Sequence, residues 1–209
     1  MPPVQAPADQ TTELRDGRTV RIRPIAPDDR DRLSAAFHRM SDESRQHRFL
    51  TAATELSSED LQYLTDVDHR RHEALVAVDP DGDLLVGTAR YVQVVGEREV
   101  AEVAVAVDDD WQRQGVATAL LAALSALARE NGVERFRAYV ASDNAVVLDA
   151  LERHGAARKP GEEPSEIEFE VEVPREELGE RLGTALRAAA AGQLRMVERV
   201  ARRLGVWRA

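Results

Sequence analysis

The residues best suited to chemistry lie between Val100 and Ala117, where an apolar run carries one carboxylate and ends in a polar loop. Glu102 is the one ionisable residue from Val100 to Val107, which makes it a candidate general base. The loop Gln112–Ala117 contains a glycine and precedes a long amphipathic pattern. Where a buried strand leads through such a loop into a helix, phosphate can bind, because the first helical amides lack partners and the helix dipole favours an anion. The loop is short and basic, so we expect it to receive a pyrophosphate.

The surrounding pattern predicts the elements that position these residues. Alternating apolar residues and turn residues predict three strands, at 73–78, 84–95 and 99–107, in an antiparallel meander. Apolar spacing at 115–131 predicts a helix that Gly132 ends. The remaining predicted elements are a strand at 18–23, helices at 28–40 and from Ser57, a strand at 136–140, a helix at 144–154, a polar loop at 158–165 and a strand at 167–173.

Length and composition predict one folded domain with an extension at each end. The chain has 209 residues, enough to bury a core. We expect residues 1–13 to be disordered, residues 14–174 to form the domain, and residues 175–209 to form a helical extension with eight Arg against four Glu. This extension could cover the sheet, form a homodimer or bind a partner. We expect it to pack on its own domain, because isolated short helices are marginal.

The net charge and the residue counts limit the kinds of partner and the cellular location that we expect. A net charge of −10 argues against nucleic acid as the main partner and suits a cationic acceptor, although solubility alone also explains it. The chain has no cysteine, which excludes disulfides and thiolate metal sites and fits the cytoplasm. The Asp and His residues at 66–72 form no complete ligand set, so we expect no metal. Neither a signal peptide nor an apolar run of membrane-spanning length is present, so we expect no membrane binding.

The order of the elements, together with Gln112-x-x-Gly115-x-Ala117, closely resembles the GNAT superfamily of acyl-CoA N-acyltransferases over roughly Thr19–Val173. The resemblance implies an α+β (α/β) fold in which helices flank a mixed, mostly antiparallel sheet. It implies acetyl-CoA as the co-substrate. The residues that it implies around the pyrophosphate are Gln112, Arg113, Gln114, Gly115, Val116 and Ala117.

The same resemblance implies a gap between the strands at 99–107 and 136–140. The pantetheine arm of the donor would enter this gap and pair with the strand edge at Val105, Ala106 and Val107.

The stretch after the next strand matches the family only in part. Asn144 corresponds to an asparagine that contacts the CoA arm, and a plain helix N-cap is an equal alternative for it. Leu151 stands where many members have a tyrosine that protonates the thiolate, and Ala156 replaces a frequent phenylalanine. These departures fit an enzyme that relies on Glu102 and also keep a non-catalytic interpretation open.

The segments 41–49, 56–64, 68–77 and 89–92 further resemble Pat-type bacterial protein lysine acetyltransferases, which act on the active-site lysine of acetyl-CoA synthetases. Those enzymes have a glutamate as general base at the position of Glu102. The resemblance implies direct acetyl transfer to a protein lysine, for example on an acyl-CoA synthetase. A small amine as the acceptor and a non-catalytic acyl-CoA sensor are the alternatives.

Overall fold

The computed structural model describes residues 9–41, 55–80, 84–142, 148–149, 152, 157–160 and 166–173. These residues form one sheet of eight strands in the order β1-β2-β3-β4-β5-β6-β8-β7. The strands are β1 Gln10–Glu13, β2 Thr19–Pro24, β3 His72–Val78, β4 Leu85–Val94, β5 Glu97–Val107, β6 Arg135–Ala141, β7 Ala157–Pro160 and β8 Glu166–Glu172. The α-helices are α1 Arg30–Arg39, α2 Ser58–Thr65 and α3 Val116–Glu130.

The sheet is antiparallel throughout its described length except where β5 lies parallel to β6. The predicted meander is confirmed as β3, β4 and β5, and β2 extends it on one side. The predicted α+β fold with a mixed, mostly antiparallel sheet is likewise confirmed. Within the described ranges, no helix combines the length and apolar character needed to cross a bilayer.

Helices cover both faces of the central strands, so side chains that alternate along a strand are buried on either face. On one face, α3 packs Leu120 and Leu124 against a cluster that includes Val103 and Val105 of β5. On the other face, α1 and α2 contribute Leu33, Phe37 and Leu64 to a second cluster with Ala74 and Val76 of β3. We call these the α3 face and the α1/α2 face.

Helix α2 begins as its sequence predicts. The Ser57 hydroxyl accepts a hydrogen bond of 3.1 Å from the Asp60 amide, and the Asp60 carboxylate accepts one of 2.8 Å from the Ser57 amide. This reciprocal capping box satisfies two backbone donors that the helix itself cannot pair. It fixes where α2 starts and therefore which residues α2 turns toward the sheet.

Two edge strands differ from the sequence predictions. Residues 10–13, expected to be disordered, form β1, because Thr19–Pro24 offers an unpaired edge to which they hydrogen-bond. Part of the expected polar loop at 158–165 forms β7, which pairs with β8 and places Lys159 beside Glu170.

Three predicted segments lie wholly or largely outside the described residues. Of the predicted helix at 144–154, residues 148, 149 and 152 are described, and these are helical. The extension at 175–209 and residues 1–8 lie outside.

Candidate active site

Strands β5 and β6 run side by side over a short stretch and then part. The paired residues are Val100–Glu102 of β5 and Arg135–Arg137 of β6. Beyond them, β6 continues to Ala141 along β8, whereas β5 continues to Val107 along β4. Among the described strands, none pairs with Val103–Val107 on the β6 side. The described strands therefore contain the predicted gap, and they leave a stretch of β5 without a strand partner, whose backbone groups suit an amide-bearing ligand.

Glu102 lies where the two strands part. It is the last residue of β5 that pairs with β6, and its partners across the sheet are Val92 and Arg137. Glu102 is 2% exposed, so its side chain does not face solvent. Because side chains alternate along a strand, Glu102 shares the α1/α2 face with Ala104 and Ala106. Both neighbours are alanines, which add little bulk on this face of β5.

Beside Glu102 lies a group of three polar residues on the same face, which we call the Tyr63 cluster: Tyr63 of α2, His72 of β3 and Arg90 of β4. The Tyr63 and His72 rings lie 4.9 Å apart between centroids. Arg90 is 1% exposed, and its guanidinium donates to the Leu64 carbonyl at 3.2 Å and lies 3.3 Å from Nε2 of His72. Arg90 therefore fastens the end of α2 to the sheet.

Burial decides the protonation states in this cluster. Burial, reinforced by the charge of Arg90, lowers the pKa of His72 to about 3, so His72 is neutral near pH 7 and its Nε2 can accept a hydrogen bond from the Arg90 guanidinium. Burial lowers the pKa of Arg90 to about 10, which still leaves it a cation. Burial raises the pKa of Tyr63 to about 12; Arg90 opposes this shift and Glu102 adds to it. Tyr63 thus stays protonated and lies within electrostatic range of both charges.

The predicted donor loop lies at the far end of the open β5 edge. Arg113 and Gly115 both have positive φ, of 63° and 106°, and Gly115 is the N-cap of α3. A glycine N-cap has no side chain to occupy the first helical amides, so these stay available for an anion. The N-terminal residues of α3 and the preceding loop line a shallow hollow together with the end of β5; its lining residues are Val107, Trp111, Gln112, Arg113, Gly115, Val116, Ala117 and Thr118.

Neighbouring contacts hold this loop in place. The Gln112 side chain donates to the Asp109 carboxylate at 2.7 Å, and the Gln114 carbonyl accepts from the Arg15 amide at 3.1 Å. Arg18 lies over the Trp111 ring at 3.9 Å. The preformed loop and the open strand edge meet at Val107, so the predicted donor residues 105–107 and 112–117 are adjacent in space. Asn144 lies outside the described residues.

A family model described as "Acetyltransferase (GNAT) family" matches residues 35–156. The chain belongs to this GNAT acetyltransferase family. As in its relatives, the activity that follows is N-acetyltransfer.

Two curated relatives and one solved structure show how close the similarity is. The acetyltransferase PA5475 of Pseudomonas aeruginosa is 36% identical over 138 residues, which cover 65% of this chain and 74% of the relative. The acetyltransferase Pat of Mycolicibacterium smegmatis is 31% identical over 162 residues, covering 78% of this chain and 48% of Pat. This GNAT chain thus spans about half the length of that relative. The crystal structure of the GNAT domain of S. lividans PAT is 34% identical with a TM-score of 0.73, covering 80% of this chain and 99% of that domain.

Sequence reasoning did not single out Tyr63 and Arg90, which the structure places on the same face of the sheet as Glu102. A signal for Arg90 was present, since it is a lone charge in the apolar strand 85–92, as Glu102 is in its own strand. Tyr63 gives no such signal, because an aromatic residue on a helix is ordinary core material. Among the described residues, His, Asp and Glu form no cluster that could hold a metal ion.

Proposed function

We propose that this protein transfers the acetyl group of acetyl-CoA directly to a lysine side chain of a protein, with Glu102 as the general base. The observation that carries the proposal is the parting of β5 from β6 directly after Glu102, with the α3 loop at the other end of the freed edge. The α3 loop, the unpaired stretch of β5 and the buried carboxylate thus follow one another along β5, which supports the proposal.

In this proposal, acetyl-CoA binds along β5, from the α3 loop to Glu102. Amides of residues 112–117 bind the pyrophosphate, and the pantetheine arm pairs with β5 at Val105, Ala106 and Val107. From Val107 to Glu102 the strand rises about 3.3 Å per residue, so the arm runs along about 17 Å of β5 before its thioester reaches the carboxylate. Small side chains at Ala104 and Ala106 keep that path open.

The chemical step needs a neutral amine, because a protonated lysine has no lone pair to attack with. The amine nitrogen forms a bond to the thioester carbon, and Glu102 accepts the proton that the nitrogen loses. The carbon–sulfur bond breaks, and its electron pair leaves with the CoA thiolate. A backbone amide near Val105 stabilises the oxyanion that forms in between.

Two observations support a protein lysine as the acceptor. The chain resembles Pat-type enzymes, and one relative at 31% identity is named Pat. The net charge of −10 attracts a cationic acceptor before it loses its proton. An acyl-CoA synthetase is the first acceptor to test.

The decisive experiment is to incubate the protein with acetyl-CoA and a bacterial lysate and to map acetylated lysines by mass spectrometry. The protein contains one lysine, Lys159, so self-acetylation can be followed at a single residue. A Gly115→Glu variant is the donor control, because a carboxylate in the anion hollow repels the pyrophosphate. We expect acetylation at few sites with the wild type and none with this variant. Acetylation of small amines without any protein lysine would contradict the proposed acceptor.

The base assignment has its own test. We expect Glu102→Gln to bind acetyl-CoA like the wild type and to lose about 100-fold or more in kcat at neutral pH, because the amide cannot accept the proton. Binding is measured by calorimetry and turnover by release of the CoA thiol. Full turnover by this variant would exclude Glu102 as the base.

A further inference from the structure

The Tyr63 hydroxyl is a buried polar group that the fold leaves without a partner. Its oxygen is shielded from solvent and makes no hydrogen bond within the described part of the chain. A buried hydroxyl without a hydrogen bond destabilises the folded state, because it has lost its hydrogen bonds to water and gained none in return. Such a group in a native structure calls for an explanation, and one explanation is a ligand that is bound during function.

The position of the hydroxyl is fixed. The Tyr63 ring stacks beside His72 at 4.9 Å, and the next residue of α2, Leu64, has its carbonyl held by the buried guanidinium of Arg90 at 3.2 Å. The capping box at Ser57 fixes the other end of the same helix. With both ends of α2 held, the Tyr63 hydroxyl is preorganised rather than free to swing away.

The sheet register places Tyr63 on the same face as the proposed base. The Tyr63 ring lies beside His72. His72, Val92 and Glu102 form one row across β3, β4 and β5 on the α1/α2 face. The other charged group facing Glu102 is Arg137, which is already paired with Glu97 at 3.0 Å. Among the described residues, Nε of Arg90 and of Arg137 are also buried without a hydrogen bond, but these nitrogens can only donate, whereas the Tyr63 oxygen can accept a hydrogen bond from an amine.

We propose that the Tyr63 hydroxyl binds and orients the acceptor amine, an inference that rests on the proposed function. A neutral primary amine has one lone pair and two N–H groups. The lone pair attacks the thioester carbon, one N–H gives its proton to Glu102, and the other N–H donates a hydrogen bond to the Tyr63 oxygen. This hydrogen bond strengthens as positive charge develops on the nitrogen, so it stabilises the transition state more than the bound amine.

The test is Tyr63→Phe, which removes the hydroxyl and keeps the ring. Wild type and variant are compared with acetyl-CoA and n-butylamine, an analogue of the lysine side chain. We expect kcat for aminolysis to fall about 10- to 100-fold with an unchanged KM for acetyl-CoA, the range for one hydrogen bond made mainly in the transition state.

Stability and a second tyrosine separate this role from a structural one. Tyr63→Phe should unfold at the same urea concentration as the wild type or a higher one, since the lost oxygen has no partner. Tyr91→Phe is the matched control: Tyr91 is buried on the α3 face, and its hydroxyl bonds to the Arg70 carbonyl at 3.1 Å and the Asn131 amide at 2.8 Å. It should lose stability and keep kcat.

Each outcome has a distinct meaning. Wild-type aminolysis by Tyr63→Phe while Glu102→Gln is inactive overturns the role of Tyr63 and leaves the proposed function standing. A rise in the KM for acetyl-CoA with an unchanged kcat also overturns it, because the hydroxyl would then act on binding of the donor and not on the amine. A wild-type protein that acetylates neither n-butylamine nor any lysate protein overturns the proposed function itself.

Discussion

Replacing Gly115 by alanine tests whether the backbone of the α3 loop holds the donor. Gly115 has φ +106°, and a Cβ built there meets no atom within 4 Å. The substitution therefore causes no clash, and its whole effect comes from a backbone conformation that L-residues avoid. Such a residue costs about 1–2 kcal/mol. The strain is relieved if φ rotates, and that rotation turns the amides at 115–117 away from the pyrophosphate.

Gly96→Ala is the matched control. Gly96 lies in the turn between β4 and β5, has φ +90°, and likewise has no atom within 4 Å of a built Cβ. Both variants should lose about 1–2 kcal/mol of unfolding free energy in urea titrations. In calorimetry, Gly115→Ala should bind acetyl-CoA about tenfold more weakly, which equals about 1.4 kcal/mol, while Gly96→Ala binds normally.

Two results would refute this reasoning. Normal acetyl-CoA affinity in a destabilised Gly115→Ala protein would show that the loop amides do not hold the donor. Equal loss of affinity in both variants would show that the effect spreads through general destabilisation rather than through the loop.

Two further predictions concern stability. Asp29 is 1% exposed; burial raises its pKa, but hydrogen bonds of 2.7 Å from Arg23 outweigh burial and hold the pKa below its ordinary value. A carboxyl with a lowered folded-state pKa stabilises the fold above its unfolded pKa of about 3.9 and loses this effect as pH falls. Asp29→Asn should therefore lower the free energy of unfolding by about 2–3 kcal/mol at pH 7, and its difference from wild type should shrink below about pH 4 in urea titrations. A pH-independent difference would contradict this. Gly87→Ala should lower the free energy of unfolding by about 1–3 kcal/mol, because the added Cβ would lie 3.1 Å from side-chain atoms of Val116 and Leu120. An unchanged unfolding midpoint would show that α3 moves freely to accommodate the added methyl group.

Much of the fold could be predicted because its signals are local. The meander follows from alternation and turn residues, α2 from its Ser57 cap, and α3 from its apolar spacing and the stop at Gly132. The edge strands β1 and β7 could not, since their short polar sequences become strands only when β2 and β8 offer hydrogen bonds. Such an edge partner is invisible in a window of neighbouring residues.

The candidate site likewise combines features that contiguous residues predict with features that depend on tertiary packing. The sequence by itself determined that Glu102 is a lone carboxylate in an apolar strand and that Gln112–Ala117 forms a glycine loop before a helix, because both are properties of contiguous residues. Only the tertiary structure decided that Glu102 is buried where β5 leaves β6, since strand register joins residues far apart in the chain. It alone brought Tyr63 and Arg90 to the same face, because burial and electrostatics depend on which elements pack together.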